Sequence, residues 1–447
     1  MKLPAYTHYK PSGVEWIGDL PEHWQVKRVK VVARLTDRKV EADEQIPRLY
    51  VGMENIESWT GRLLPINPDI VPTGTANLFN SRSTLFGKLR PYLAKACNPD
   101  FDGLCSTELL VLESYLIDRP TLLYSLLSDG FIKLVDSSTY GSKMPRANWD
   151  FIGNCMMPIA PREEQRQIAG FLNRETSRID RLVGKKRELI ERLKEKRTGL
   201  ITRTVTRGLP PDAARAVGFP ENKKLKPSGF DWIGDIPEHW KVNKLKRLAS
   251  VRGRIGFRGY TTDDLVDADE GALALGATHM RDDGNVDLND PVYISWAKYY
   301  ESPEIMVEVG DLLVAQRGST SGKVAIIKEQ IGPATINPSV VLLKQPSING
   351  RFLLYCLLGH FVQHSFRSYL SATAIPMLSQ QQIGSVDICT PPAQEQDAIV
   401  AYLDRELALL NALLTRVETA LQRLQEYRTA LITAAVTGKI DVRSAVA

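Results

Sequence analysis

The chain repeats itself. Residues 10–26 read KPSGVEWIGDLPEHWQV and residues 226–242 read KPSGFDWIGDIPEHWKV, identical at 13 of 17 positions at an offset of 216. A second match, PREEQRQIAGFLNRE (161–175) against PAQEQDAIVAYLDRE (392–406), lies at an offset of 231, and LITRTVT (200–206) against LITAAVT (431–437) keeps that offset. Self-similarity on this scale constrains the fold more than local propensity does, because each half must build a related unit. The organisation it predicts is two half-chains, each a variable globular region followed by a related helical segment.

The helical segments carry the clearest periodicity. In the first, Ile168, Leu172, Ile179, Leu182, Leu189, Leu193 and Leu200 fall on a series of alternating steps of four and three, whose missing members are Glu175, Lys186 and Lys196. In the second, Ile399, Leu403, Leu410, Leu413, Val417, Leu424 and Leu431 do the same. That alternation is a 3.5-residue seam, the pattern of helices packed lengthwise. Pro161, Pro391 and Pro392 before the segments, and Gly208 and Gly438 after them, are start and stop signals. Residues 162–207 hold 14 Lys/Arg against 7 Asp/Glu, a net +7, whereas 393–438 carry a net −2. Opposite charge favours pairing the two helices with each other. The pairing should be antiparallel, since a folded region separates them and each must return toward its start.

The predicted fold class is α+β. Two mixed α/β globular regions, 1–160 and 210–391, are separated by two long antiparallel coiled-coil helices, 161–209 and 392–447, as a pseudo-two-fold internal repeat. VKVVARL (29–35), LLVL (109–112), VAII (324–327) and SVVLL (339–343) read as short strands. LYSLLSDGFIKLV (123–135) and LLYCLLGHFVQHSF (353–366) read as amphipathic helices in matching places. The stretch 208–229, rich in Pro, Gly and charge, reads as a connector. At 43% hydrophobic and 24% charged, the 447 residues have ordinary globular usage, which excludes a wholly disordered or collagen-like chain. No apolar run has spanning length, and MKLPAYTHYK lacks the form of a secretion signal, so no membrane association and a cytoplasmic setting are expected. Cys97, Cys105, Cys155, Cys356 and Cys389 form no CxxC pair, which argues against a zinc site or a disulfide framework. A net charge of +5 permits a nucleic-acid partner without arguing for one.

Catalytic patterns fail on spacing. GSTSGKV (318–324) has three residues between its glycines where a phosphate loop needs four, and Val324 stands where a metal-binding hydroxyl belongs. GRIGFRG (253–259) has the wrong spacing for a dinucleotide site. The six histidines are scattered, and His23 and His239 recur inside PEHW, where packing beside Trp24 and Trp240 outweighs metal ligation. Asp212, Glu221 and Lys223 imitate a nuclease carboxylate–lysine pattern, but in a connector that could not hold metal ligands rigidly. The expectation is a non-catalytic chain that binds no metal and no cofactor.

With these strings in view, the chain resembles the specificity subunits of Type I restriction–modification systems along essentially its whole length. The carriers are the doubled WIG-D-[LI]-PEHW segments (16–24 and 232–240), the P-x-x-E-Q segments (161–165 and 392–396) and the LIT-x-x-VT helix ends. LFGKLRPYLAK (85–95) is similar to a stretch of that family's target-recognition domains. The resemblance implies two target-recognition domains, each reading one half of a bipartite, asymmetric site in double-stranded DNA. It also implies docking of two methyltransferase subunits and assembly with two motor-nuclease subunits in phage defence. S-adenosylmethionine, ATP and magnesium would belong to those partners.

Phosphate contact calls for Lys, Arg or hydroxyl side chains, and base reading for bidentate donors. The candidates in the first region are Lys88, Arg90, Lys95, Ser142, Lys143 and Arg146, the last three in the small-residue loop TYGSKMPR (139–146). In the second they are Arg254, Arg258, Arg317, Ser319, Thr320 and Lys323, from two Gly-rich basic loops. The matching loop SATAIPML (371–378) carries no charge. The rival expectations are a coiled-coil protein-binding scaffold with no DNA role and a stand-alone nuclease.

Overall fold

The computed structural model describes residues 4–41, 49–70, 74–141, 143–221, 223–254, 259–371 and 377–446. The chain divides into two compact units: Met1–Glu188 with Val417–Ala447, and Leu189–Arg416. Both long helices, Arg162–Arg207 and Ala393–Val436, therefore give one portion to each unit. At 1.5 Å per residue they are ~69 and ~66 Å long.

Each unit holds an all-antiparallel four-stranded sheet of the same order. In the first unit it runs Ala33–Leu35, Leu109–Ser114, Thr84–Gly87, Ala96–Cys97. In the second it runs Ser250–Gly253, Val340–Lys344, Leu312–Ala315, Val324–Ile326. The central strands are continuous apolar runs because both sheet faces are covered. Strand periodicity sends Phe86, Leu110 and Leu112 into one core and Leu85, Leu109 and Val111 into another. A second four-stranded sheet ends in a parallel pair in both units, Tyr50–Val51 with Gly103–Cys105 and Gly271–Leu275 with Ala334–Ile336. The strand next to that pair joins differently in the two units. Thr75–Phe79 pairs with the later member, Gly103–Cys105, whereas Tyr293–Ser295 pairs with the earlier one, Gly271–Leu275.

Three local expectations change. VKVVARL is a helical turn, Val29–Val32, followed by a strand. The turn directs Val29 and Val32 inward together and leaves Val31 exposed, as spacing of three requires and alternation forbids. Each expected amphipathic helix is two helices, Arg119–Leu126 with Asp129–Ser137, and Gly350–Leu358 with His360–Ser371. The connector contains a helix, Pro211–Ala216, and a strand, Leu225–Pro227, paired with Asp235–Pro237.

The repeated strings meet in space. In the first unit the Glu164 carboxylate is buried at the start of the first long helix. It accepts hydrogen bonds from Trp24 Nε1 (2.9 Å) and Tyr6 Oη (3.2 Å), and His23 Nε2 lies 2.6 Å away. In the second unit Glu395 takes the same place, accepting from Trp240 Nε1 (2.9 Å) and Lys223 Nζ (2.9 Å), with His239 Nε2 at 2.8 Å. Each following glutamine reaches the globular region: Gln165 bonds Ala160 O and Asp118 N, and Gln396 bonds Pro391 O and Asn349 N. PEHW and P-x-x-E-Q are thus two halves of one clamp. It fixes a globular region to the N-terminus of a helix, where a carboxylate is electrostatically favoured.

The helices run antiparallel inside each unit. Gly438 ends the second helix with φ +72° beside Pro21 and Trp24, and Gly208 ends the first with φ +75° beside Lys223 and Glu395. Ile168, Phe171, Leu172, Ile179 and Val183 share a core with Leu431, Ile432, Ala435 and Val436. The seam itself is corrected at three positions. Leu182, Leu189 and Leu413 are exposed, and Val183 and Ile190 are buried next to the first two. The apolar stripe follows the ~3.6-residue turn of a straight helix, so it drifts off a strict 3.5-residue seam toward the next residue. In the second helix Leu407 and Arg428 are buried as well; Arg428 donates to Asp180 Oδ1 (2.9 Å) and to the carbonyls of Trp59 (2.7 Å) and Thr60 (2.8 Å).

Candidate nucleic-acid interface

In both units the central strand of the all-antiparallel sheet runs on into a loop, and a segment near the end of the globular region bridges to it. In the first unit Lys88 N donates to Glu108 O, and Ala147 N donates to Lys88 O. In the second Gln316 N donates to Ser339 O, and Leu378 N donates to Gln316 O. The residues one place along form the isolated β-bridges Leu89 with Arg146 and Arg317 with Met377. Identical backbone bonding makes Lys88 the counterpart of Gln316, Leu89 of Arg317, Glu108 of Ser339 and Arg146 of Met377. The loop ends Arg146–Ala147 and Met377–Leu378 therefore correspond, although their charges do not.

Around the first bridge the structure gathers exposed cations and aromatics. Arg90 is exposed with φ +49°, its N–H bonded to Pro145 O (2.7 Å), and Lys143 is exposed on the opposite loop. Tyr92, Tyr140 and Met144 are exposed on the same segments. Arg146 is half-buried and doubly bonded to Glu108, Nε to Oε2 at 3.1 Å and Nη2 to Oε1 at 2.9 Å. Lys88 is half-buried beside it. Lys95 is turned away from this use, because its Nζ donates to Met53 O at 2.6 Å. Ser142 lies outside the described residues.

Around the second bridge Arg317 is exposed, its Nε 3.2 Å from the sulfur of Met377. Ser319 is exposed and Thr320 half-buried, on a loop that Gly318 (φ +83°) and Gly322 (φ +90°) turn sharply. Lys323 forms an ion pair with Asp282 (2.8 Å) at the edge of a cavity of about 200 Å³. The loop runs on into the strand Val324–Ile326 and not into a helix, so it does not have the strand–loop–helix form of a phosphate loop. Arg254 is not a surface cation. It is buried, donates Nε to Ile336 O (3.0 Å) and Nη2 to Thr335 Oγ1 (3.1 Å), and lies over the Tyr260 ring. Burial holds its guanidinium below the usual arginine range, a core role that a Gly-rich basic string does not reveal. Arg258 lies outside the described residues.

Glu108 is the functional candidate that sequence reading missed. It sits 38 residues from Arg146 in an unremarkable strand entry, and only pairing of the sheet brings the two together. The nuclease pattern does not assemble: Lys223 is bonded to Glu395, and Glu221 pairs with Arg215. Among the described residues no group of three or more His, Cys, Asp or Glu is placed to hold a metal. All five cysteines are free and buried, and burial pushes the Cys97, Cys105 and Cys389 thiols up to about 12. No helix among the described residues is long and apolar enough to cross a membrane.

The duplicated chain thus has long helices, a clamped globular region in each unit and a bridge beside basic residues in each. A family profile for the Type I restriction modification DNA specificity domain matches residues 284–423. Two relatives come from Methanocaldococcus jannaschii. The Type I restriction enzyme MjaVIII specificity subunit is 25% identical over 350 residues, 76% of this chain and 75% of the relative. The putative type I restriction enzyme MjaX specificity subunit is 22% identical over 450 residues, 96% of each. A chain from a structure describing complex assembly and conformational transition of the type I R-M system shares the fold. It has a TM-score of 0.61 and 22% identity, covering 93% of this chain and 98% of that one. Along most of its length the chain is thus similar to Type I restriction enzyme specificity subunits.

Proposed function

We propose that each unit presents its bridge to DNA and reads one half of a bipartite, asymmetric site, and that the two long helices set the spacing between the half-sites. The observation that carries this reading is the shared bridge. One backbone arrangement recurs in both units and holds a basic loop at the surface, with different side chains in each. Half-sites read by unlike side chains should differ in sequence. Arg90, Lys143 and Lys88 in the first unit, and Ser319, Thr320 and Lys323 in the second, supply phosphate contacts. Arg146 and Arg317 supply base contacts.

The helices also offer two related surfaces on which two methyltransferase subunits dock, with two motor-nuclease subunits completing a cytoplasmic assembly. S-adenosylmethionine, ATP and magnesium belong to those subunits. Boundaries of 1–160 and 210–391 for the reading regions, and 161–209 and 392–447 for the spacer helices, follow from the same reading.

Mapping methylated adenines in the source genome tests it directly. A strain lacking this gene should lose one bipartite pattern and keep all others; an unchanged methylation map would refute the reading. Inserting four residues into each long helix adds ~6 Å, about two base pairs of spacer. A variant that methylates sites of unaltered spacing would remove the helices from that role.

A further inference from the structure

The two bridges carry the same pair of residue types on opposite strands: Leu89 faces Arg146 in the first unit, and Arg317 faces Met377 in the second. Each bridge has one arginine and one apolar partner. The arginines differ in what holds them. Arg146 is gripped by Glu108 through Nε and Nη2, with the arginine side chain 42% and the glutamate 22% exposed. The counterpart of Glu108 is Ser339, whose hydroxyl donates to Asn337 Oδ1 at 2.6 Å and does not reach Arg317. Arg317 instead places Nε 3.2 Å from the Met377 sulfur, and among the described residues it forms no ion pair.

We infer that Glu108 is a positioning residue that makes Arg146 a base reader rather than a phosphate anchor, while Arg317, unclamped, also tracks the backbone. This rests on the bridges facing DNA. A guanidinium has five N–H donors in a planar fork. Glu108 occupies the Nε–Nη2 edge and leaves the Nη1–Nη2 end free, a two-donor edge matched to guanine O6 and N7. The carboxylate also neutralises the arginine, so the pair draws little on phosphate charge, which responds to net cations. Holding the side chain in one rotamer sharpens the angle at which that end meets a base edge. Arg317 keeps its full charge, with its Nε against the Met377 sulfur at 3.2 Å and no carboxylate among the described residues to neutralise it.

The experiment uses the chain assembled with its methyltransferase subunits and two probes, a duplex pool randomised over the recognition span and one unrelated duplex titrated with salt. Arg146→Ala should lower discrimination at one base pair of one half-site by about 5- to 150-fold, leaving the salt slope on the unrelated duplex unchanged. Glu108→Gln should lower discrimination at that same base pair, tighten binding to the unrelated duplex and steepen its salt slope by about 0.9, because a covered cation is released. Glu108→Asp, which keeps the charge, should keep the wild-type slope and restore part of the discrimination. Arg317→Ala should flatten the slope by about 0.9. The inference is overturned if Glu108→Gln leaves both discrimination and slope at wild type, or if Arg146→Ala flattens the slope as much as Arg317→Ala does. If the wild-type assembly enriches a bipartite sequence that neither arginine substitution alters, the placement of the bridges at DNA fails instead.

Discussion

Replacing Glu395 by Ala should destabilise the second unit selectively. The carboxylate is buried and serves three donors: Lys223 Nζ, Trp240 Nε1 and His239 Nε2, all within 3 Å. The side chains of Lys223 and Glu395 are only 9% and 2% exposed, so removing the glutamate strands a buried ammonium. Breaking a buried pair by deleting one partner costs about 3–5 kcal/mol. For a unit of this size each kcal/mol moves the midpoint by about 2–4 °C, so the second unit's melting point should fall by ~6–20 °C. Glu164→Ala should cost less, because its donors are Trp24, Tyr6 and the His23 ring, and its nearest guanidinium, Arg443 at 3.8 Å, is 46% exposed. Calorimetry gives the midpoints, and hydrogen exchange read peptide by peptide assigns each transition to its unit. Acid dependence adds a second test. Burial pushes the Glu395 carboxyl up, but bonds from His239, Lys223 and Trp240 and the Lys223 charge outweigh it and hold the carboxyl below its ordinary 4.5. A depressed folded pKa contributes stability that is present above 4.5 and lost as pH falls below it. Glu395→Gln should flatten that acid limb in the second unit alone. Equal losses from Glu164→Ala and Glu395→Ala, or an acid limb that survives Glu395→Gln, would refute the argument that Lys223 makes the second clamp the costlier one to break.

Arg428→Met should lower the first unit's stability by about 2–4 kcal/mol, since it leaves Asp180 and the carbonyls of Trp59 and Thr60 without their donor; proteolysis within residues 53–64 reports the loss. Leu182→Ser should change stability by no more than about 0.5 kcal/mol, whereas Val183→Ala should cost about 2 kcal/mol, and denaturant melts that reverse this order would restore the strict heptad. Gly438→Ala and Gly208→Ala should each destabilise their own unit. Both glycines have positive φ; a Cβ at 438 would meet the rigid Pro21 ring at 2.3 Å, and at 208 it would meet Lys223 Nζ at 2.1 Å and press on the buried pair with Glu395. An unchanged thermal midpoint in either variant would refute it.

What the sequence made legible is what repetition made legible. PEHW and P-x-x-E-Q stand out as doubled strings because their side chains bond each other, so each half must contain both to close its clamp. The long helices announced their period, yet the seam drifted at Leu182, Leu189 and Leu413. A straight helix falls behind a strict heptad by ~20° per repeat, so two or three repeats past Ile168 the inward face has turned toward the next residue. Packing then chooses Val183 over Leu182. The bridges were half legible. Arg146 and Arg317 were found as basic residues near glycines, but so was Arg254, which the fold buries against Thr335 and Ile336. Nothing in a Gly-rich basic string distinguishes a cation facing solvent from one capping carbonyls beneath a strand. Glu108 was invisible for a different reason: its role exists only across the sheet.

The clamp and the bridge place opposite demands on sequence. At the clamp, function lies in buried side chains, where Glu164 and Glu395 each satisfy several donors, and a change of residue leaves polar groups unpaired at a cost of about 1–3 kcal/mol apiece. At the bridge, the bonds common to both units are backbone bonds, Lys88 N to Glu108 O and Gln316 N to Ser339 O, which any side chain permits. Leu89 can therefore stand where Arg317 stands, and Arg146 where Met377 stands, without disturbing the sheet behind them. A chain built this way can vary the residues at its bridges while holding the clamps and helices constant, which is the division that the two halves of this sequence display.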